Sequence, residues 1–206
     1  MPTPRVRALT ALAAAAMAAP LSLTGLSTQA QAQTGSPSPS PSATGTSTTE
    51  IFGSGCSSLP KTGAGSAAVM AKQQVIAAAT GNPQLSQLVS YVNRAKIANT
   101  LNTAKNITLF APTNAAWQKL SASQRNTLVN NPTQLKKALT YHVVNQHITP
   151  AQLPNGSFTT KEGSKLTTSG SGTTFKVNNT AHIVCGNIPT ANATVYLVDT
   201  VLMPPK

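Results

Sequence analysis

Carboxylates are scarce in this chain. Its 206 residues include only Glu50, Glu162 and Asp199. Glycoside hydrolysis needs two carboxyl groups held several Å apart. Glu162 is a poor member of such a pair, because it sits in Lys161-Glu162-Gly163-Ser164, a turn in which the lysine lowers its pKa. A Ser-His-Asp site would have to join Asp199 to His142, His147 or His182, and the chain has no Gly-x-Ser-x-Gly elbow. His142 and His147 are five residues apart, which puts them on opposite faces of a strand or about 140° apart on a helix. No enzymatic activity, metal or cofactor is therefore expected. Aromatic residues are also few: four Phe, three Tyr and one Trp, scattered along the chain. They do not interleave with cations as a nucleic-acid groove requires, and no nucleic-acid partner is expected.

Cysteine is limited to Cys56 and Cys185. An even count in an exported chain reads as one disulfide. The alternatives are two free thiols or a metal site, and the latter lacks further ligands near Cys56. Lipid anchoring at Cys56 is not expected, because that residue lies well past the apolar leader. A loop of such length would gain roughly 5 kcal/mol at most from cross-linking in the chain-entropy model.

The start of the chain has the layout of a secretory signal peptide over residues 1–32. Arg5 and Arg7 precede an uncharged Ala/Leu-rich stretch over 8–26, and Ala30-Gln31-Ala32 supplies a cleavage site. The competing reading is an uncleaved anchor. Its length is marginal for a span, Ala is weakly apolar and Pro20 interrupts it. Residues 33–55 are rich in Ser, Thr, Pro and Gly, with Ile51-Phe52 the one apolar pair. Such a segment reads as a disordered tether. Residues 56–206 are enough for one domain with a real core.

The charge is lopsided, with 15 basic residues and a formal net charge of +12. Cleavage would remove Arg5 and Arg7 and leave about +10. This favours anionic partners such as wall polymers or acidic polysaccharide. Only Lys136-Lys137 are adjacent among the lysines, so a diffuse solubilising charge is the competing reading.

Periodicity places helices first. Residues 66–80 carry Val69, Val75, Ile76 and Ala79 at helical spacing, with Gly81 as a stop. Asn82-Pro83 opens a second helix with the stripe Leu85, Leu88, Val89 and Val92, and Ile97 and Leu101 lead into a third. A strand over 107–111 is followed by a helix that Thr113 or Asn114 caps and that buries Trp117. Ser121 with Gln124 forms a capping box, and Pro132 opens another helix. Tyr141, Val143 and Ile148 read as strand residues. Short β-type runs follow at 157–160, 166–168, 174–177, 182–184 and 195–198, with turns at Asn155-Gly156, Asn178-Asn179 and Gly186-Asn187. Helices first and strands last argue an α+β domain. No internal repeat is present.

Three stretches then carry a resemblance. Leu109-Phe110-Ala111-Pro112-Thr113-Asn114-Ala115-Ala116-Trp117, Tyr141-His142 and Tyr196-Leu197-Val198-Asp199-Thr200-Val201-Leu202-Met203-Pro204 together resemble the signature of fasciclin-like domains. The segment Phe52-Gly53-Ser54-Gly55-Cys56, with Ile183-Val184-Cys185-Gly186, is similar to the secreted fasciclin-domain surface antigens of mycobacteria and related actinobacteria. The resemblance covers about residues 52–205. It implies a single β-wedge of about seven strands with packed helices, and a Cys56–Cys185 disulfide. Many members have Asp in place of Asn114 and Phe in place of Trp117.

The resemblance implies adhesion at a cell surface, matrix or host interface, without turnover and as a monomer. The implied location is extracellular, in loose association with the cell wall. By analogy with animal relatives that bind integrins, Tyr141, His142 and Asp199 are the binding positions. The competing reading makes His142 a satisfied core imidazole and Asp199 a local cap. An alternative function is an extracellular carrier of a small apolar or lipid ligand. Leu59-Pro60-Lys61-Thr62-Gly63 matches a wall-sorting pentapeptide but lacks the C-terminal context that signal uses. Sequons begin at Asn106, Asn155, Asn178 and Asn192 and are expected to be unmodified in a bacterial protein.

Overall fold

Strands β1 (Ile107–Pro112) and β7 (Ala193–Val198) are buried along their whole length, so both of their faces need cover. The computed structural model describes residues 50–205 and supplies that cover with a curled sheet on one side and helices on the other. The expected signal peptide over 1–32 and residues 33–49 of the expected tether lie outside the described residues. β1 and β7 pair in parallel, with Thr108 opposite Thr194 and Phe110 opposite Tyr196. The other strands are β2 (Val143–Val144), β3 (Asn155–Thr159), β4 (Lys165–Ser171), β5 (Thr174–Val177) and β6 (Ala181–Pro189). The order is β2-β1-β7-β6-β5-β4-β3, and every pair except β1–β7 is antiparallel. The two edges meet where Val144 bridges Thr160 and Lys161 N–H donates to the Val143 carbonyl at 2.6 Å. The result is a near-barrel of seven strands in an α+β domain, and the contact leaves little unpaired edge.

Alternation along the two central strands sorts their side chains between two cores. Leu109, Ala111, Val195 and Leu197 join a core shared with the helices. Phe110, Tyr196 and Val198 point into the barrel with Phe158, Leu166 and Phe175. The helices are α1 (Ala67–Met70), α2 (Val75–Thr80), α3 (Ser86–Arg94), α4 (Ala98–Thr103), α5 (Asn114–Gln118), α6 (Ala122–Asn130) and α7 (Pro132–Tyr141). Thr113 caps α5 through the Ala116 N–H at 3.4 Å. Ser121 and Gln124 form the expected box at α6, and Asn131 caps α7 ahead of Pro132. Asn114 instead caps α3. Its Oδ1 accepts from Gln87 N–H at 3.1 Å, while its Nδ2 donates to the Pro83 carbonyl at 2.9 Å. Trp117 is fully buried, edge-on to Tyr91 at 4.5 Å between ring centroids.

Five local readings change. The single helix expected over 66–80 is two, because the turn after β6 docks into the break: Ala191 N–H donates to the Gln73 carbonyl and Val75 N–H to Asn192 Oδ1, both at 2.8 Å. Tyr141 ends α7 and His142 caps it, so neither lies in a strand. Asn155-Gly156 opens β3 rather than forming a turn. Gly186-Asn187 lies within β6 at an irregularity in its pairing with β7. Ile51 to Gly55, read as tether, belong to the folded part. Phe52 pairs with Gly186, and its ring lies 5.4 Å from that of Phe175. A β-carbon at Gly186 would meet that ring at 2.5 Å, so the position suits only glycine. Cys56 and Cys185 are joined by a disulfide that closes 129 residues.

Candidate binding surface

The end of α7 and the tail after β7 bring His142 and Asp199 to one end of the β1–β7 pair. His142 is fully buried. Its Nδ1 lies 2.8 Å from the Ala138 carbonyl and its Nε2 lies 2.9 Å from the Leu202 amide. A carbonyl only accepts and an amide N–H only donates. The ring is therefore neutral, with its proton on Nδ1. Burial holds its pKa down at about 4 against the raising effect of the Ala138 bond. The imidazole fastens the tail to α7.

Asp199 fastens the same tail to β6 and α5. Its Oδ1 accepts from His182 N–H at 2.8 Å and from the Thr200 hydroxyl at 3.0 Å, and its Oδ2 lies 2.8 Å from Lys119 Nζ. Burial would raise its pKa, but Lys119, His182 and Thr200 outweigh that and hold it below the usual range. Tyr141 is buried and faces elsewhere. Its hydroxyl donates to the Lys165 carbonyl at 3.0 Å and accepts from Asn178 Nδ2 at 2.7 Å, tying the end of α7 to β4 and to the turn after β5. All three residues thus direct their polar atoms into the fold.

Above His142 the surface opens into a groove of about 580 Å³ between α6, α7 and Met203–Pro205. Leu128 and Ala138 are buried in its base, Met203 and Pro204 form a rim, and Gln124 and Lys137 stand on its walls. Met203 is 43% exposed and is the one exposed large hydrophobic side chain among the described residues. Leu128 is the only buried residue of α6, so that wall is lightly anchored. Arg125, Lys136 and Lys137 lie on α6 and α7, and neither helix carries a carboxylate. Glu162 reaches Lys137 from the loop after β3 at 3.3 Å. Hydrogen bonds from Ser164, outweighing burial, and the nearby Lys137 hold the Glu162 carboxyl below its ordinary pKa. Sequence reasoning missed this groove, because a Met next to Pro-Pro does not announce whether it is covered. Among the described residues no three His, Cys, Asp or Glu side chains cluster to hold a metal, and no helix is long and apolar enough to cross a membrane.

A family model described as the fasciclin domain matches residues 83–204, over half of the chain. The chain belongs to the fasciclin domain family. It is 40% identical over 164 residues to the immunogenic protein MPB70 of Mycobacterium bovis, covering 76% of this chain and 83% of that protein. It is 42% identical over 164 residues to the cell surface glycolipoprotein MPB83 of the same species, covering 76% of this chain and 73% of that protein. A solved FAS1 domain pair from the insect cell adhesion molecule fasciclin I has a TM-score of 0.57 at 16% identity, covering 64% of this chain and 51% of that one. The chain thus spans about half the length of that pair, and the likeness shows the fold.

Proposed function

We propose that this fasciclin protein is exported and acts outside the cell as a monomeric, non-enzymatic adhesion or host-interaction protein. Its contact face is the groove between α6, α7 and the tail. The occupant is an extended acidic peptide segment of a matrix, envelope or host-surface protein. One observation carries this reading: an exposed apolar rim at Met203 lies beside two helices that carry Arg125 and Lys136 and no carboxylate, with Lys137, paired to Glu162, in the groove wall. Apolar contact would supply affinity and the cations would steer the approach. The leader over 1–32, the disulfide and the name of the relative MPB83 support an extracellular setting.

The test is binding of the purified protein to matrix proteins, envelope polysaccharide and whole cells at low and high salt. Met203→Asp should weaken binding to a protein partner at least tenfold without altering the fold. Binding that Met203→Asp leaves intact, or that disappears with salt on every anionic surface alike, would remove the groove from the account. A second reading uses the same 580 Å³ groove as the seat of a small apolar or lipid ligand. A co-purifying ligand in a native mass spectrum, lost in Met203→Asp, would select it.

A further inference from the structure

We propose a second binding site, at the opposite end of the β1–β7 pair, that takes an anionic carbohydrate. Two adjoining clefts of about 270 and 420 Å³ meet at Asn106, Ala191 and Asn192. Their floor is the turn between β6 and β7, and Asn192 makes that floor rigid. Its Oδ1 accepts from Val75 N–H at 2.8 Å, and its Nδ2 donates to the carbonyls of Leu101 and Ala104, each at 2.8 Å. Asn102 adds a bond from Ile76 N–H at 3.1 Å. The turn, the start of α2 and the end of α4 are therefore one unit.

The rim over this floor is engaged differently. Gln74, Lys105, Asn106 and His147 line the clefts, are exposed, and have no side-chain partner among the described residues. No carboxylate lines either cleft. Asp199 and Glu162 each have a lysine partner elsewhere, and Glu50 is held to β6 through its carbonyl by Asn187. The rim thus offers one ammonium, one imidazole and two carboxamides on a preformed base. An ammonium meets a carboxylate or sulfate, and a carboxamide both donates and accepts, as a sugar hydroxyl does. No Phe, Tyr or Trp lines the clefts, so a nucleobase would lack the large stacking platform that such grooves use. A hydroxyl-rich chain bearing acid groups matches both the charge and the amides. A fixed floor also limits the ordering cost of binding.

The test titrates the exported protein with three probes: a glucuronate-containing hexasaccharide, an uncharged hexasaccharide of equal length, and polyglutamate. The charged sugar should bind more tightly than either other probe. Lys105→Ala with His147→Ala should lower its affinity at least tenfold, and Asn106→Ala about threefold with the salt dependence unchanged. Lys165→Ala with Lys176→Ala, and Met203→Asp, should leave it within twofold. Equal binding of polyglutamate would overturn the proposal, as would an equal loss in the Lys165/Lys176 pair or no sugar binding at millimolar concentration. The Lys105 and His147 variants remove no bond of the fold, so unchanged thermal melting accompanies the expected result, whereas Asn106 has φ 54°, where alanine is strained, and its variant should melt slightly lower. Parallel titration with a uronate-bearing envelope polysaccharide and an animal matrix uronate polymer assigns the source of the sugar. Met203→Asp reads the groove separately.

Discussion

At each end of the β1–β7 pair a buried or part-buried polar side chain bonds in two directions, but by different chemistry. At the start of the strands Asn192 ties the β6–β7 turn to α2 and α4 with a neutral amide. At the far end His142 ties the tail to α7 with an imidazole. Asn192 keeps its hydrogen-bonding capacity at any pH that proteins meet, whereas His142 holds its bond to Leu202 only while its Nε2 is unprotonated. One end is a permanent fastening and the other depends on acidity.

The largest break should come at the permanent end. Asn192→Ala removes three well-formed bonds and leaves Val75 N–H without its partner, which should cost about 3–4 kcal/mol in urea unfolding. The acid-sensitive end is tested by pH. Above about pH 6.5 His142 is neutral in both folded and unfolded chains and contributes no slope. As pH falls from about 6.5 to about 4, the unfolded chain binds a proton that the folded one refuses. Stability should therefore drop by about 3 kcal/mol across that window, and below it the folded imidazole charges as well. His142→Gln, which keeps an acceptor for Leu202 N–H, should flatten the slope. Hydrogen exchange corrected for its intrinsic pH dependence should show Leu202 losing protection ahead of Val75 on acidification. Glu162 and Asp199 contribute only toward the bottom of the window, because carboxylates with depressed values lose their stabilisation below about pH 4.

Smaller effects sharpen the comparison at the tail. Asp199→Ala should cost about 1 kcal/mol, from the lost bonds to His182 N–H and the Thr200 hydroxyl. The arm to Lys119 is half exposed and screened, so added salt should barely change that loss. Asn114→Asp, the residue common elsewhere in the family, should cost only about 0.5 kcal/mol. It loses the donor to the Pro83 carbonyl but places a negative charge at the start of α3. Thermal melting of that variant would refute the cap if it lost several degrees or none.

Much of this architecture was legible because it is written locally. The stretch from Leu109 to Trp117 shows a strand, a cap and a helix in sequence order, and the capping box at Ser121 needs only four residues. Tyr141-His142-Val143-Val144 misled, because β-branched and aromatic residues at a helix end look like a strand start until the helix is seen to bury them. The break at Ala71–Gln74 was illegible because its cause is Asn192, more than a hundred residues away. Asn114 looked like a cap for its own helix and serves α3 instead. Of the proposed binding positions, Tyr141, His142 and Asp199 were readable as polar residues in apolar surroundings, which is also how a fastening looks. The groove at Met203 and the cleft at Lys105 depend on which side chains remain uncovered, and no local pattern encodes that.

The disulfide has a mechanical consequence. A tug on the chain ahead of Glu50 reaches Phe52, paired with Gly186, and then Cys56, bonded to Cys185. Both contacts deliver the load to β6. Traction between the leading segment and the tail then loads β6 and its neighbour β7 in series, and it meets α7 and α5 at the tail's bonds to His142 and Lys119. A domain held this way takes a pull on its leading end in the sheet first.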